Sequence, residues 1–141
     1  MAYSMTELLA ETEEKYGDFE ILVPVRDKET GEKKVDEHGE EVVEEARFRF
    51  YLRVDREARR RLAQAYKYAT GEEEIPDAEG ADEKDAMDAL VGYLQATVRS
   101  LAVTKHDYEL VASYFGDDII YWSFFIEKYS ENYGGIEGSG E

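Results

Sequence analysis

The segment from Ile119 to Tyr133 constrains the fold more than any other, because it is apolar around most of its circumference. Nine of its fifteen residues are aliphatic or aromatic, and Asp117 and Asp118 stand where a helix would begin. A helix of this kind needs cover on more than one face, which a chain of 141 residues can supply only in part. We expect about half of it to pack in the core.

The remaining surface of this helix is predicted to join a protein interface, because tryptophan and tyrosine are enriched there as anchors. The candidate partner-binding residues are Ile119, Trp122, Phe125, Ile126, Tyr129 and Tyr133. We therefore expect the chain to self-associate.

The whole chain predicts an α+β fold, in which an N-terminal helix and an antiparallel β-hairpin precede a mainly helical C-terminal half. Ser4 and Glu7 form a capping-box pattern, and Pro24 indicates that the first strand is an edge strand or carries a bulge. Apolar spacing predicts helices over residues 5–16, 55–71, 82–103, 104–116 and 118–133, and strands over residues 19–26 and 42–54. The charged run 27–41 is expected to form an exposed hairpin tip.

Composition divides the chain into four stretches, which we expect to form one domain overall. They are the helix, hairpin and basic helix of residues 1–71, an acidic linker at 72–83, a helical half at 84–133 and a flexible glycine-rich tail at 134–141. The linker prediction rests on Pro76, Gly80 and the absence of any periodicity.

The net charge of −17 argues against binding to nucleic acid or to a membrane surface. Both are polyanions that proteins normally contact through clustered lysine and arginine. The chain has no cysteine, which removes disulfides, thiolate nucleophiles and cysteine zinc sites and suits a reducing cytoplasm. We therefore expect a soluble protein whose partners are other proteins.

One basic stretch interrupts the acidic chain. Residues 47–67 hold eight basic and two acidic side chains, a local net charge of +6, against −10 before and −13 after this stretch. Two interpretations stay open: the stretch neutralises the acidic arms within the fold, or it docks an acidic partner or another copy. The candidate docking patch comprises Arg56, Arg59, Arg60 and Arg61.

No catalytic, cofactor-binding or metal-binding residues are predicted, and the chain is not expected to be an enzyme. His38 and His106, the two histidines, lack metal-ligand spacing around them. The nucleophile-elbow, phosphate-loop, dinucleotide and calcium-loop patterns are missing from the sequence. Close carboxylate pairs arise by chance among 34 acidic residues and carry little information.

The order of elements resembles the tail assembly chaperones of long-tailed bacteriophages, specifically the product of the upstream reading frame. The resemblance covers most of the chain and consists of loose patterns of composition and order. It rests on the helix Leu8–Tyr16, the hairpin of Phe19–Arg26 with Val42–Leu52, the acidic linker 72–83, and the stretch Ala112–Asp118 leading into Phe125–Tyr129.

The resemblance implies a non-enzymatic protein of the host cytoplasm that is absent from the mature virion. Such a protein binds the long, apolar tape measure protein, keeps it in solution and helps to recruit tail tube subunits. Two alternatives stay open. One is an acidic mimic of nucleic acid that inhibits a host protein, although the +6 stretch interrupts any continuous acidic face. The other is a structural head or tail completion protein.

Overall fold

The computed structural model describes residues 2, 4–27, 29–73 and 83–134. Along the described chain the elements are α1 (Met5–Tyr16), β1 (Phe19–Pro24), β2 (Val43–Phe48), α2 (Arg56–Ala69), α3 (Glu83–Leu101), α4 (Lys105–Phe115) and α5 (Ile119–Asn132). The predicted α+β class is confirmed. Apart from positions 72, 73, 83 and 134, the predicted linker and tail lie outside the described residues.

Short polar side chains cap four of the helices. The carboxylate or hydroxyl of each cap accepts a hydrogen bond from a backbone N–H of the first turn, which would otherwise lack a partner. The caps are Ser4 for α1, Asp55 for α2, Thr104 for α4 and Asp118 for α5.

The two strands pair antiparallel, with Phe19 opposite Phe48 and Pro24 opposite Val43. The prediction of a strand continuing to residue 54 is wrong. The chain leaves the ladder after Phe48 and forms one turn of 3₁₀ helix at Tyr51–Arg53. The bend buries Phe50, whose ring packs at a tilt against those of Tyr51 and Tyr133.

The connection between α3 and α4 covers the far edge of β2. The N–H of Arg49 donates to the carbonyl of Leu101 at 2.8 Å, and the N–H of Val103 donates to the carbonyl of Arg47 at 3.0 Å. Backbone groups that an edge strand leaves unpaired are thereby satisfied. This contact ties the hairpin to the helical half of the chain.

Asp107 reinforces the same junction. Its carboxylate accepts hydrogen bonds from the N–H of Arg47 at 3.1 Å and from the N–H and hydroxyl of Thr104 at 2.9 and 2.7 Å. Burial opposes the charge of this carboxyl, but the hydrogen bonds from Thr104 and Arg47 outweigh it and hold the pKa of Asp107 below its ordinary value.

The core lies where α2, α3 and α5 meet the inner face of the hairpin. Its fully buried members come from both sides of the predicted linker and include Phe48, Leu62, Leu94, Val98, Leu101, Trp122, Ile126 and Tyr129. Among the described residues, no helix has the length and apolar character that crossing a bilayer requires.

Candidate partner-binding surfaces

The inner face of α5 belongs to the core. Trp122, Ile126 and Tyr129 have no exposed surface, and Phe125 is 4% exposed. The prediction that these four side chains contact a partner is wrong, because a partner would reach them only by opening the core. Their aromatic rings pack edge-on against Phe19, Phe48 and Phe115.

The polar tips of this inner face are also satisfied within the chain. The indole N–H of Trp122 donates to the carbonyl of Gly116 at 2.8 Å, and the Tyr129 hydroxyl donates to the carbonyl of Arg49 at 2.6 Å. Buried aromatic residues of this kind normally find such partners. The face is complete without any other protein.

Ile119 and Tyr133, at the two ends of α5, are half-buried and pack against the core. The hydroxyl of Tyr133 donates to the carbonyl of Gly17 at 2.7 Å, which anchors the end of α1. Burial, together with the negative charge of Asp18, raises the pKa of Tyr133 to about 12. These two residues are therefore structural in the folded chain.

The outer face of α5 is apolar and exposed. Ile120 is 73% exposed and Phe124, one helical turn further on, is 55% exposed. The neighbouring Tyr121 is exposed as well. Leu22 of β1 is exposed as well and lines one groove together with Tyr121. We refer to Leu22, Ile120, Tyr121 and Phe124 as the apolar patch.

A groove of about 320 Å³ adjoins the apolar patch, between β1 and the helices α4 and α5. Its walls are mostly apolar and include Val23, Val111 and Phe115. The rings of Phe115 and Tyr121 stack with centroids 5.4 Å apart, so Tyr121 is held in place before any partner arrives. A held side chain loses less conformational entropy on binding than a free one.

A second exposed apolar face belongs to α1. Met5, Leu8 and Leu9 are exposed, and no residue of the helix is buried. The helix is fastened at its C-terminal end, where Tyr16 packs against Phe50 with ring centroids 5.3 Å apart. Isolated helices of 12 residues are marginal in water, so this face is better stabilised against a partner.

The structure redraws the predicted arginine patch. Arg56 and Arg60 are exposed on α2, while Arg59 turns inward and donates to the carbonyl of Val54 at 3.2 Å. Of the four predicted residues, Arg61 lines a groove between α2 and α3. Its neighbours there are Arg49, Arg53 and Arg99, which the sequence reasoning did not assign to the patch.

One local pattern in the sequence indicates that Arg99 lies beside an opening on α3. Gly92, Ala96 and Arg99 follow helical spacing on α3, so a stripe of small residues ends in a guanidinium group on one face. Small residues leave room for an opening beside the helix. Only tertiary packing shows that α2 places Arg61 across that opening.

The described residues contain no group of three or more histidine, cysteine, aspartate or glutamate side chains arranged to hold a metal ion. His38 is exposed on the hairpin tip. The ring of His106 lies 3.1 Å from the carboxylate of Glu44 in an exposed pair.

No protein-family model, curated protein or solved structure matches the chain.

Proposed function

We propose that this protein is a tail assembly chaperone of a long-tailed bacteriophage, which binds the apolar tape measure protein, keeps it in solution and helps to recruit tail tube subunits. The observation that supports the proposal is the apolar patch. Four large apolar side chains lie exposed together on a chain whose net charge is −17. Soluble proteins expose such patches mainly where they bind something.

The shape of the patch suits an apolar helical client. Ile120 and Phe124 form a ridge along α5, and the groove beside Tyr121 is a recess for a side chain of the client. Helix-in-groove recognition uses such a combination, with anchors spaced three or four residues apart on the bound helix. The exposed apolar face of α1 offers a second contact for a long client.

The charge of the chain suits the same role. The apolar surface of a client would be covered while the acidic remainder of the chaperone faces water. A high net charge of one sign opposes association between complexes and keeps them in solution. The protein thereby combines an apolar surface that binds the client with an acidic surface that repels other complexes of the same charge.

The test is co-expression with the tape measure protein encoded in the same genome. We expect the otherwise insoluble client to remain in solution and to co-purify with the wild-type chain. The double substitution Ile120→Ser and Phe124→Ser should abolish both effects. If a folded wild-type chain leaves the client insoluble and unbound, the proposed function is wrong.

Leu52→Ser provides a matched control, because Leu52 is 55% exposed like Phe124 but lies outside the apolar patch. The control variant should solubilise the client as the wild type does. Equal loss in both variants would remove the assignment to the apolar patch. Recovery of the protein in purified phage particles would instead favour a structural completion protein.

A further inference from the structure

A groove lined by arginine side chains runs between α3 and the segment that leads into α2. One part, of about 390 Å³, is lined by Arg49, Arg53 and Arg61 together with the carboxylates of Asp55 and Glu57. The adjoining part, of about 460 Å³, is lined by Arg61 and Arg99. Arg61 and Ser100 line both parts, so the two parts adjoin. We call the two parts together the basic groove.

The positive charge of the basic groove is only partly compensated. Arg53 pairs with Glu13 at 3.0 Å, and Arg61 pairs with Glu57 at 3.6 Å. Within the part of the chain that the structure describes, Arg49 and Arg99 form no ion pair with a carboxylate. The guanidinium of Arg99 lies over the ring of Tyr108, 5.7 Å from its centroid. Two guanidinium groups without a carboxylate partner on so acidic a chain favour an anionic ligand, since planar donors match carboxylates well.

The chain itself carries a matching anionic segment. Residues 36–45 contain six carboxylates and no lysine or arginine, and we call them the acidic arm. The first half of this arm is exposed and shaped by a turn, in which the N–H of Asp36 donates to the carbonyl of Glu40 at 2.8 Å. Glu37 and Glu40 form no ion pair with any described residue.

The basic groove and the acidic arm lie at opposite ends of the hairpin. The exposed half of the arm precedes β2, whereas Arg49 follows the last residue of β2. A strand of six residues spans roughly 20 Å, and its pairing with β1 holds the two features apart. The arm of one chain therefore cannot occupy the groove of the same chain.

We propose that the acidic arm of one copy binds the basic groove of a second copy, so that the protein self-associates head to tail. The contact joins two different surfaces, and each bound copy leaves one arm and one groove free. Contacts of this type build rings or open chains instead of closed symmetric dimers. The proposal does not depend on the identity of any client.

The test is analytical ultracentrifugation at about 0.15 M salt, where the Debye length is about 8 Å and repulsion between whole chains is largely screened. We expect the wild type to sediment above the 16.2 kDa of one chain and to dissociate as the salt is raised toward about 1 M. A groove variant, Arg49→Glu with Arg99→Glu, and an arm variant, Glu37→Lys with Glu40→Lys, should each be monomeric alone.

Mixing the two variants gives the decisive result. The groove variant keeps an intact arm and the arm variant keeps an intact groove, and the two reversed surfaces are again opposite in charge. An equimolar mixture should therefore sediment above the single-chain mass. The milder pair Arg49→Gln with Arg99→Gln should weaken association in the same direction. Circular dichroism establishes that each variant is folded.

Arg56→Glu with Arg60→Glu is the matched control, since it changes the net charge equally on exposed residues outside the basic groove. This control should associate like the wild type. A monomeric wild type, equal effects of the groove and control variants, or a mixture that stays monomeric would each overturn the proposal. None of these outcomes depends on binding of the tape measure protein.

Discussion

The two faces of α5 carry similar side chains in opposite environments. Trp122 and Tyr129 on the inner face are fully buried, whereas Ile120 and Phe124 on the outer face stand in solvent. Both pairs are large and apolar, so hydropathy does not separate them. The difference arises from what the rest of the fold places against each face.

The apolar character of a helix face and its availability to a partner are therefore separate properties. On the inner face, the indole N–H of Trp122 and the hydroxyl of Tyr129 both donate to backbone carbonyls, and both side chains are fully buried. The outer face has the apolar composition of an interface and stays largely exposed, with Tyr121 stacked on Phe115 and the ammonium group of Lys128 5.3 Å from the centroid of the Phe124 ring. Substitutions on the two faces should therefore have opposite consequences for stability and for binding.

The largest expected effect is that of Trp122→Ala on the inner face. Removing a fully buried indole loses its apolar contacts and leaves a cavity, which costs about 3–5 kcal/mol of unfolding free energy. Urea denaturation followed by circular dichroism measures this loss. Phe124→Ala on the outer face should change stability by less than about 0.5 kcal/mol. Similar losses for both variants would contradict the two-face description.

The second prediction concerns Asp107, whose buried carboxylate joins α4 to β2. Asp107→Ala removes three accepted hydrogen bonds and leaves partly buried donors unpaired, so we expect a loss of about 1–3 kcal/mol. Because the pKa of Asp107 is lowered in the folded state, its contribution is present above the ordinary value of 3.8 and disappears as the pH falls through the lower folded value.

Denaturation of the wild type and of Asp107→Ala across acidic pH checks this contribution. The difference in unfolding free energy should be constant near neutrality and should shrink below pH 3.8. A difference that persists unchanged at low pH would show that the carboxylate charge is irrelevant. Asp107 joins α4 to β2 inside the fold and is not part of the apolar patch. We therefore expect no change in binding through that patch.

These contrasts also show how far sequence reasoning reaches. Helix starts were predictable because Ser4, Asp55, Thr104 and Asp118 act on backbone groups within their own first turn. The helix spans followed from local apolar spacing in the same way. Such signals need no knowledge of distant parts of the chain.

The orientation of α5 and the members of the basic groove depend on contacts between distant residues. Spacing does not reveal whether Trp122 or Phe124 faces inward, because both positions are aromatic. Arg99 meets Arg61 only after α2 and α3 pack together. The early end of β2 follows from a pairing with Leu101, more than fifty residues away in sequence.

A smaller effect is expected for Tyr133→Phe at the end of α5. This substitution removes the hydrogen bond to Gly17 and should cost about 0.5–1.5 kcal/mol. The folded pKa of Tyr133 is raised to about 12 from an ordinary value of 10, so the stability of the wild type should decline as pH rises between these values. Alkaline denaturation of Tyr133→Phe should show a shallower decline, and an identical decline would contradict the assignment.

The smallest effect is expected for Gly92→Ala on α3, which also has two unlike sides. Its inner side carries Leu94 and Val98, and its outer side carries Gly92 and Ala96. A methyl group added at Gly92 would meet no atom within 4 Å. Glycine inside a helix is less favourable than alanine, so Gly92→Ala should raise the unfolding free energy by about 0.5–1 kcal/mol. Urea denaturation measures this gain. A loss of stability would mean that the outer side of α3 is closely packed, and the basic groove beside it would then need a different description.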